Sequence, residues 1–300
     1  MAKRTGGGRA AWLVLALSMA LPSWAQDATV EIRTLPVADG VHMLIGRGGN
    51  IGVSTGADGV LLVDDQFAPL TPKIRAAVEA LGGGAPRFLL NTHWHFDHTG
   101  GNQNFAGMGA TILAHDNVRA RMSQLQRIRG REIPASPPDA LPVVTFGHDV
   151  TLHWNGDEIH ALHLSAAHTD GDAVVHFRRA NVIHTGDLFF AGGFPFIDLE
   201  SGGSIDGLIA GLEAVLALTN PRTSIIPGHG PLSKAADLKE YAAMLQDAKN
   251  RVEAAYNKMQ DVEAAVAASP LAELAPRWGQ GFVDAEAFTR TVATDLARRR

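Results

Sequence analysis

A chain of 300 residues has room for one large domain or two small ones. Its formal charge of −5 argues against a nucleic-acid partner. With no cysteine, it can form neither a disulfide nor a thiolate–metal bond, so any metal must be held by imidazole and carboxylate.

Residues 1–25 read as a signal peptide. Lys3, Arg4 and Arg9 precede the apolar run Ala10 to Leu21, and Ser23-Trp24-Ala25 supplies the small residues of a cleavage site before Gln26. The run is short for a membrane span, and no Arg-Arg pair marks a twin-arginine signal. Cleavage would take the formal charge to about −8 and leave a soluble chain in the periplasm or outside the cell, with no membrane partner.

From Val30 to Val63, short β runs alternate with turn residues, and Gly56-Ala57-Asp58-Gly59 predicts a hairpin. Thr71-Pro72 opens a helix, Lys73 to Leu81, stopped by Gly82-Gly83-Gly84. A strand from Arg87 to Leu90 follows. Ala110 to His115 is a further strand, Asp116 to Arg129 a basic helix, and the proline-rich Ile133 to Pro142 a coil. Thr145 to Leu164 predicts two strands around Asn155-Gly156.

The order seen in the first half then recurs. A hairpin of Asp172 to Phe177 and Val182 to Thr185 leads to Asp187. Ser204 caps a helix from Ile205 to Leu218, and the strand Thr223 to Ile226 leads to His229. Two similar β-rich halves, packed sheet on sheet with helices outside, are the expected architecture, with residues 26–234 as one domain. Ala235 to Ala268 predicts a long helix broken before Pro270, and Asp284 to Arg300 another. Residues 235–300 are thus expected to form a helical extension packed on the same domain.

The stretch that organises the chain is Asn91-Thr92-His93-Trp94-His95-Phe96-Asp97-His98-Thr99-Gly100-Gly101. Residues two apart on an extended segment point the same way, so His93 and His95 can reach one metal ion. Asp97 and His98 come as the chain turns and can face a second. Three later motifs carry further ligand types: Ala167-His168-Thr169-Asp170-Gly171-Asp172, Thr185-Gly186-Asp187-Leu188 and Pro227-Gly228-His229-Gly230.

In order and in ligand type, these four motifs resemble the signature of the metallo-β-lactamase superfamily, over about residues 30 to 235. The resemblance implies a four-layer αβ/βα sandwich whose ligand-bearing strand ends meet at one edge. It implies one metal on His93, His95 and His168, and a second on Asp97, His98 and His229. Asp187 stands where lactamases of the superfamily usually have cysteine or serine, and the glyoxalase II-like branch has an aspartate bridging both metals. Two zinc ions per chain are the expected cofactors, with iron or manganese as alternatives. Two divalent ions carry four positive charges, of which Asp97, Asp187 and one hydroxide return three. The carboxylate bridge therefore favours a filled pair about 3.5–4 Å apart.

The implied activity is hydrolysis of an ester, thioester or lactam in a small molecule by attack of metal-bound hydroxide, with Asp97 counted as catalytic as well as a ligand. Lactamases with the cysteine ligand carry a lysine three residues beyond it. Phe190 occupies that place here, which weakens the lactam reading, while the export signal strengthens it. A mononuclear iron enzyme similar to persulfide dioxygenases is the alternative. A non-catalytic binding module is disfavoured by the intact ligand set. Nothing in the sequence speaks to oligomeric state.

Around the ligands, Asp64 or Asp65 is expected to orient an imidazole or to cap the next loop, and Asp172 to tie down the loop of His168. Trp94 and Phe96 are expected to pack behind the ligands. Phe189, Phe190, Phe194 and Phe196 read equally as an apolar rim and as core. The remaining histidines, His42, His115, His148, His153, His160, His163, His176 and His184, read as strand or turn residues.

Overall fold

Short continuous apolar runs, such as Val60-Leu61-Leu62-Val63, give strands that can be covered on both faces. In the computed structural model, which describes residues 29–299, the strands are β1 (Arg33–Ala38), β2 (Val41–Ile45), β3 (Ile51–Ser54), β4 (Val60–Val63), β5 (Pro86–Leu90), β6 (Thr111–His115), β7 (Gln126–Ile128), β8 (Arg131–Ile133), β9 (Val144–Phe146), β10 (Asp149–Trp154), β11 (Asp157–His163), β12 (Ala173–Phe177), β13 (Val182–His184), β14 (Ser224–Ile226) and β15 (Ser233–Lys234). One sheet has the order β1-β2-β3-β4-β5-β6-β9, the other β10-β11-β12-β13-β14-β15, and β7-β8 is a separate hairpin. The expected signal segment at 1–25 lies outside the described residues.

The helices are α1 (Thr71–Ala80), α2 (Phe96–Thr99), α3 (Asn102–Gly107), α4 (Asp116–Met122), α5 (Ile205–Ala217), α6 (Ala235–Met259), α7 (Val262–Ala267), α8 (Ala275–Trp278) and α9 (Ala285–Arg298). None of the described helices is long and apolar enough to cross a membrane. The internal repeat is present as topology. β3 and β4 form an antiparallel pair, α1 crosses over, and β5 joins β4 in parallel. Likewise β12 and β13 pair, α5 crosses over, and β14 joins β13 in parallel.

Strand β4 shows how the layers arise. Leu61 and Val63 enter the cluster between the sheets, with Met43 and Leu90 from one side and Ile159, Val175 and Phe177 from the other. Val60 and Leu62 point the opposite way, onto Ile74 and Val78 of α1. On the far side of the second sheet, Val174, Ile183 and Ile225 pack with Leu208, Leu212 and Val215 of α5. Each of these buried aliphatic side chains contributes roughly 1.5–3 kcal/mol through lost apolar exposure. The result is the expected helix–sheet–sheet–helix sandwich. The same outer cluster takes in Tyr241 and Leu245 of α6 and Phe288 and Val292 of α9.

Several local expectations need correction. The helix expected over Asp116 to Arg129 stops at Met122, and the chain turns into β7 and β8. Arg129 (φ 51°) and Gly130 (φ 74°) take positive φ at successive positions, the turn that suits a two-residue hairpin. Thr145 and Phe146 belong to β9, which pairs with β6 in the first sheet, so the Asn155-Gly156 hairpin begins only at Asp149. The long C-terminal helix breaks earlier than expected. Gln260 caps α6 in the left-handed region (φ 54°), and the Asp261 side chain caps α7.

Candidate metal centre

Each side chain of the His motif is set by the backbone that follows β5. Asn91 and Asn102 exchange side-chain hydrogen bonds of 3.0 and 2.9 Å, closing the loop between strand and α3. The Thr92 N–H and hydroxyl donate to Asp64 at 2.7 and 2.8 Å. His93 and His95 follow in the bend, and α2 then carries Asp97 and His98. From the other half, His168 lies in the loop between β11 and β12, Asp187 in the turn after β13, and His229 after β14. His229 is held there by a backbone bridge to Phe190, with the Ala191 N–H donating to the His229 carbonyl at 2.8 Å.

All seven expected site residues come together. The metal-binding atoms of His93, His95, His168 and Asp187 lie within 4.8 Å of one another, as do those of Asp97, His98 and His229. His95 Nδ1 and His168 Nε2 face each other at 2.9 Å, and His98 Nε2 and His229 Nε2 at 3.3 Å. Asp187 stands between the groups. Its Oδ2 is 3.8 Å from His93 Nε2 and 3.6 Å from His168 Nε2. Its Oδ1 is 3.1 Å from His98 Nε2 and 3.4 Å from His229 Nε2. Asp97 Oδ2 is 3.4 Å from His229 Nε2.

The opposite nitrogens are anchored, which fixes ring orientation and tautomer. His98 Nδ1 lies 2.8 Å from Asp64, His168 Nδ1 2.7 Å from the Phe196 carbonyl, and His93 Nδ1 3.0 Å from the Thr92 hydroxyl. His95 Nε2 lies 3.0 Å from Asp198. Asp64 therefore orients an imidazole, while Asp65 accepts from Gly101 N–H at 2.9 Å. Asp172 accepts from the Thr169 N–H and hydroxyl, tying down the His168 loop as expected. Asp198 was not legible in the sequence. It sits 103 positions from His95, and its only local sign is that it caps the turn at Leu199–Ser201. Asn50 was missed for the same reason. It reaches across the seam to donate to the Pro227 and Gly230 carbonyls at 2.9 and 3.0 Å, beside His229.

As titrating groups, the imidazoles divide. Burial, reinforced by the neighbouring His98 charge, holds His93 well below its usual value, and burial brings His168 down to about 4. Burial also works against the charged forms of His98 and His229, but the carboxylates around them outweigh it. Asp187, Asp97 and Asp64 hold His98 well above the usual value, and Asp187 and Asp97 lift His229 to about 9. Conversely, burial disfavours the Asp97 carboxylate, yet His98 and His229 bring it to about 2. The same two cations outweigh burial at Asp187.

The aromatic residues divide between the two expected roles. Phe189 and Phe194 are 2% exposed and belong to the core, with Phe194 also lining the floor of a cavity of about 480 Å³ over the site. Phe190 and Phe196 line that cavity too, and Phe190 stacks on the His229 ring at 5.1 Å. Trp94 is buried behind the ligands, but Phe96 is 49% exposed and faces the cavity instead. As a helix residue, it points away from the bend that packs Trp94. The other eight histidines stay out of the site. His184, the nearest of them in sequence, points its Nε2 at the Asn50 carbonyl at 3.0 Å.

The donor set fits a metal. His93 Nε2 is buried with no hydrogen-bond partner, a costly state for a polar atom unless a cation meets it. Nitrogen and carboxylate donors suit zinc, iron or manganese. Residues 44–240 match the family model described as the metallo-beta-lactamase superfamily. The chain belongs to the metallo-β-lactamase superfamily. Within it, the chain is 27% identical over 182 residues to a probable metallo-hydrolase of Bacillus subtilis, covering 57% of this chain and 83% of that protein. It is 28% identical over 164 residues to a hydroxyacylglutathione hydrolase of Polaromonas sp., covering 54% of this chain and 55% of the relative. The chain thus spans about half the length of that relative. Among solved structures, a metallo-beta-lactamase from Pontibacter korlensis superposes with a TM-score of 0.59 at 16% identity, covering 72% of this chain and all of that one. The mono-zinc form of the metallo-beta-lactamase FIM-1 from Pseudomonas aeruginosa gives 0.59 at 18%, covering 73% and 96%. These structural likenesses concern the fold. The protein is a metal-dependent hydrolase of this superfamily.

Proposed function

We propose that the protein is an exported dinuclear zinc hydrolase that cleaves an ester, thioester or lactam carbonyl. The observation that carries this reading is Asp187, whose two oxygens address separate groups of donors within 3.8 Å on either side. His93, His95 and His168 would hold one ion, Asp97, His98 and His229 the other, with Asp187 between them. Ions so held supply a Lewis acid for the substrate carbonyl and a source of hydroxide near neutral pH. The Asp97 and Asp187 carboxylates would offset part of the ionic charge. Asp198 and Asp64 hold His95 and His98 in the tautomers that leave one nitrogen for metal. Phe96, Phe190 and Phe196 provide apolar walls for an acyl or ring group and keep bulk water from the reacting carbon.

The hydroxyacylglutathione hydrolase relatives support a thioester among the candidate carbonyls, and Phe190 in place of a cation weighs against efficient lactam turnover. Export is supported by the charged and apolar segments within residues 1–25.

The test is hydrolysis of a chromogenic cephalosporin, a glutathione thioester, a simple aryl ester and an aryl phosphodiester, each with zinc, with manganese and after chelation. Cleavage of at least one carbonyl substrate, lost on chelation and in His95→Ala and Asp97→Ala, is the expected result. Full activity in either variant would remove the assigned roles. A single iron per chain with no hydrolysis would favour the persulfide dioxygenase-like alternative.

A further inference from the structure

Two arginines, Arg47 and Arg129, line the cavity over the metal centre, and the hydrolytic chemistry uses neither. Arg129 occupies the turn between β7 and β8 and lines the cavity together with Phe196 and Phe282. Its guanidinium lies over the Phe196 ring at 5.2 Å and over the Phe282 ring at 4.7 Å. Among the described residues, Arg129 has no hydrogen-bond acceptor and no carboxylate within 4.0 Å. Phe282 is 74% exposed, yet it sits against this cation and not alone in solvent. A guanidinium held over aromatic faces keeps its N–H groups along its edge, where they form a planar fork for two oxygens. Because the rings already fix its orientation, little freedom remains to be lost when an anion binds.

We infer that Arg129, clasped by Phe196 and Phe282, is a specificity-determining residue that selects carbonyl substrates carrying a carboxylate beside an apolar group. The inference rests on the hydrolytic reading of the metal centre and adds the substrate class. A carboxylate matches the fork in a bidentate pair, and the surrounding rings take the apolar part. The cavity volume suits a molecule of ordinary metabolite or drug size. The selecting wall is composite. Arg129 comes from the hairpin that replaces the expected helix, and Phe282 comes from beyond residue 240, where the family match ends.

The test compares the mono-para-nitrophenyl ester of glutarate with the para-nitrophenyl ester of glutaramic acid, its neutral counterpart. Calorimetric binding of hydrocinnamate and hydrocinnamide to the same full-length protein gives a readout independent of turnover. Arg129→Met keeps the stem and the backbone conformation while removing the charge. Its expected effect is to reduce the charged-over-neutral preference in kcat/KM, chiefly through KM, and to weaken hydrocinnamate binding, each by about tenfold, as for loss of a hydrogen bond to a charged group. Arg129→Lys should retain part of both, and Phe282→Ala should lose part of both. If Arg129→Met shifts neither quantity by more than about twofold, the inference is wrong. If neither ester is cleaved but hydrocinnamate binding still depends on Arg129, the anion subsite stands and the ester-hydrolase reading falls.

Discussion

Asp64 shows how much of the centre depends on a side chain that would touch no metal. Its carboxylate receives Thr92 N–H and hydroxyl and faces His98 Nδ1, and its backbone sits at φ 64°, a conformation that aspartate and asparagine tolerate better than most residues. Asp64→Asn should therefore keep the turn but weaken the hold on the His98 ring, lowering metal affinity by about 10–100-fold, measurable by competition with a chromogenic chelator. The raised values of His98 and His229 set the pH response. In chelator-treated protein both imidazoles carry protons at pH 7, and a metal accepts only the neutral forms. Zinc uptake at pH 7 should release about two protons, seen as a calorimetric enthalpy that varies with buffer ionisation, and affinity should rise with pH until His229 titrates near 9. For the metal-free fold the sign is opposite. The stability that these raised histidines contribute is present in full below the unfolded value of 6.5 and is lost as pH climbs through their folded values, about 9 for His229. Uptake that releases no protons would refute the charge assignment.

At the scale of elements, the centre consists of loop ends that depend on close backbone approach. Gly228, in the loop after β14, donates its N–H to the Gly186 and Phe189 carbonyls, so the two motif loops lie against each other. A Cβ built on Gly228 would lie 2.1 Å from Asp187 Oδ1 and 2.6 Å from the Gly186 backbone. Gly228→Ala must push these loops apart. It should destabilise the protein by about 1–3 kcal/mol and reduce bound metal, because Asp187 is displaced from between the two donor groups. Thermal unfolding with parallel elemental analysis checks both, and undiminished metal content would show that the loop contact is dispensable. The hairpin of β7 and β8 teaches a different lesson. The basic, Met-containing composition of Asp116 to Arg129 suits a helix, but the helix ends at Met122 and the chain turns back at Arg129-Gly130, a weaker hairpin signal than Asn155-Gly156.

In the whole molecule, the helices beyond residue 234 are part of the core. Tyr241, Leu245, Phe288 and Val292 are fully buried in the cluster that covers α5 and the second sheet, and Trp278 accepts the Phe194 N–H at its carbonyl at 2.8 Å, beneath the cavity. Removing residues 235–300 should expose this cluster and give an insoluble or molten product, detectable by gel filtration and near-ultraviolet dichroism. A soluble, metal-loaded truncation would show that the sandwich stands without the extension.

The sequence by itself determined the two-layer β architecture, the repeated hairpin–helix–strand unit and all seven side chains that meet at the centre. The strands and helices depend on short-range periodicity and the group His93 to His98 on ligand types gathered within a few residues, whereas His168, Asp187 and His229, single ligands in separate motifs, follow from the resemblance to the superfamily. Tertiary structure alone decided which groups stand behind the ligands and which surround the substrate space. Asp198 reaches His95, Asn50 reaches the His229 loop, and Phe282 reaches Arg129 across 100 residues or more, or between separate elements. An aspartate, an asparagine or a phenylalanine has no periodicity that names its partner. Its role is fixed only when the sheets pack and bring distant loop ends to one edge.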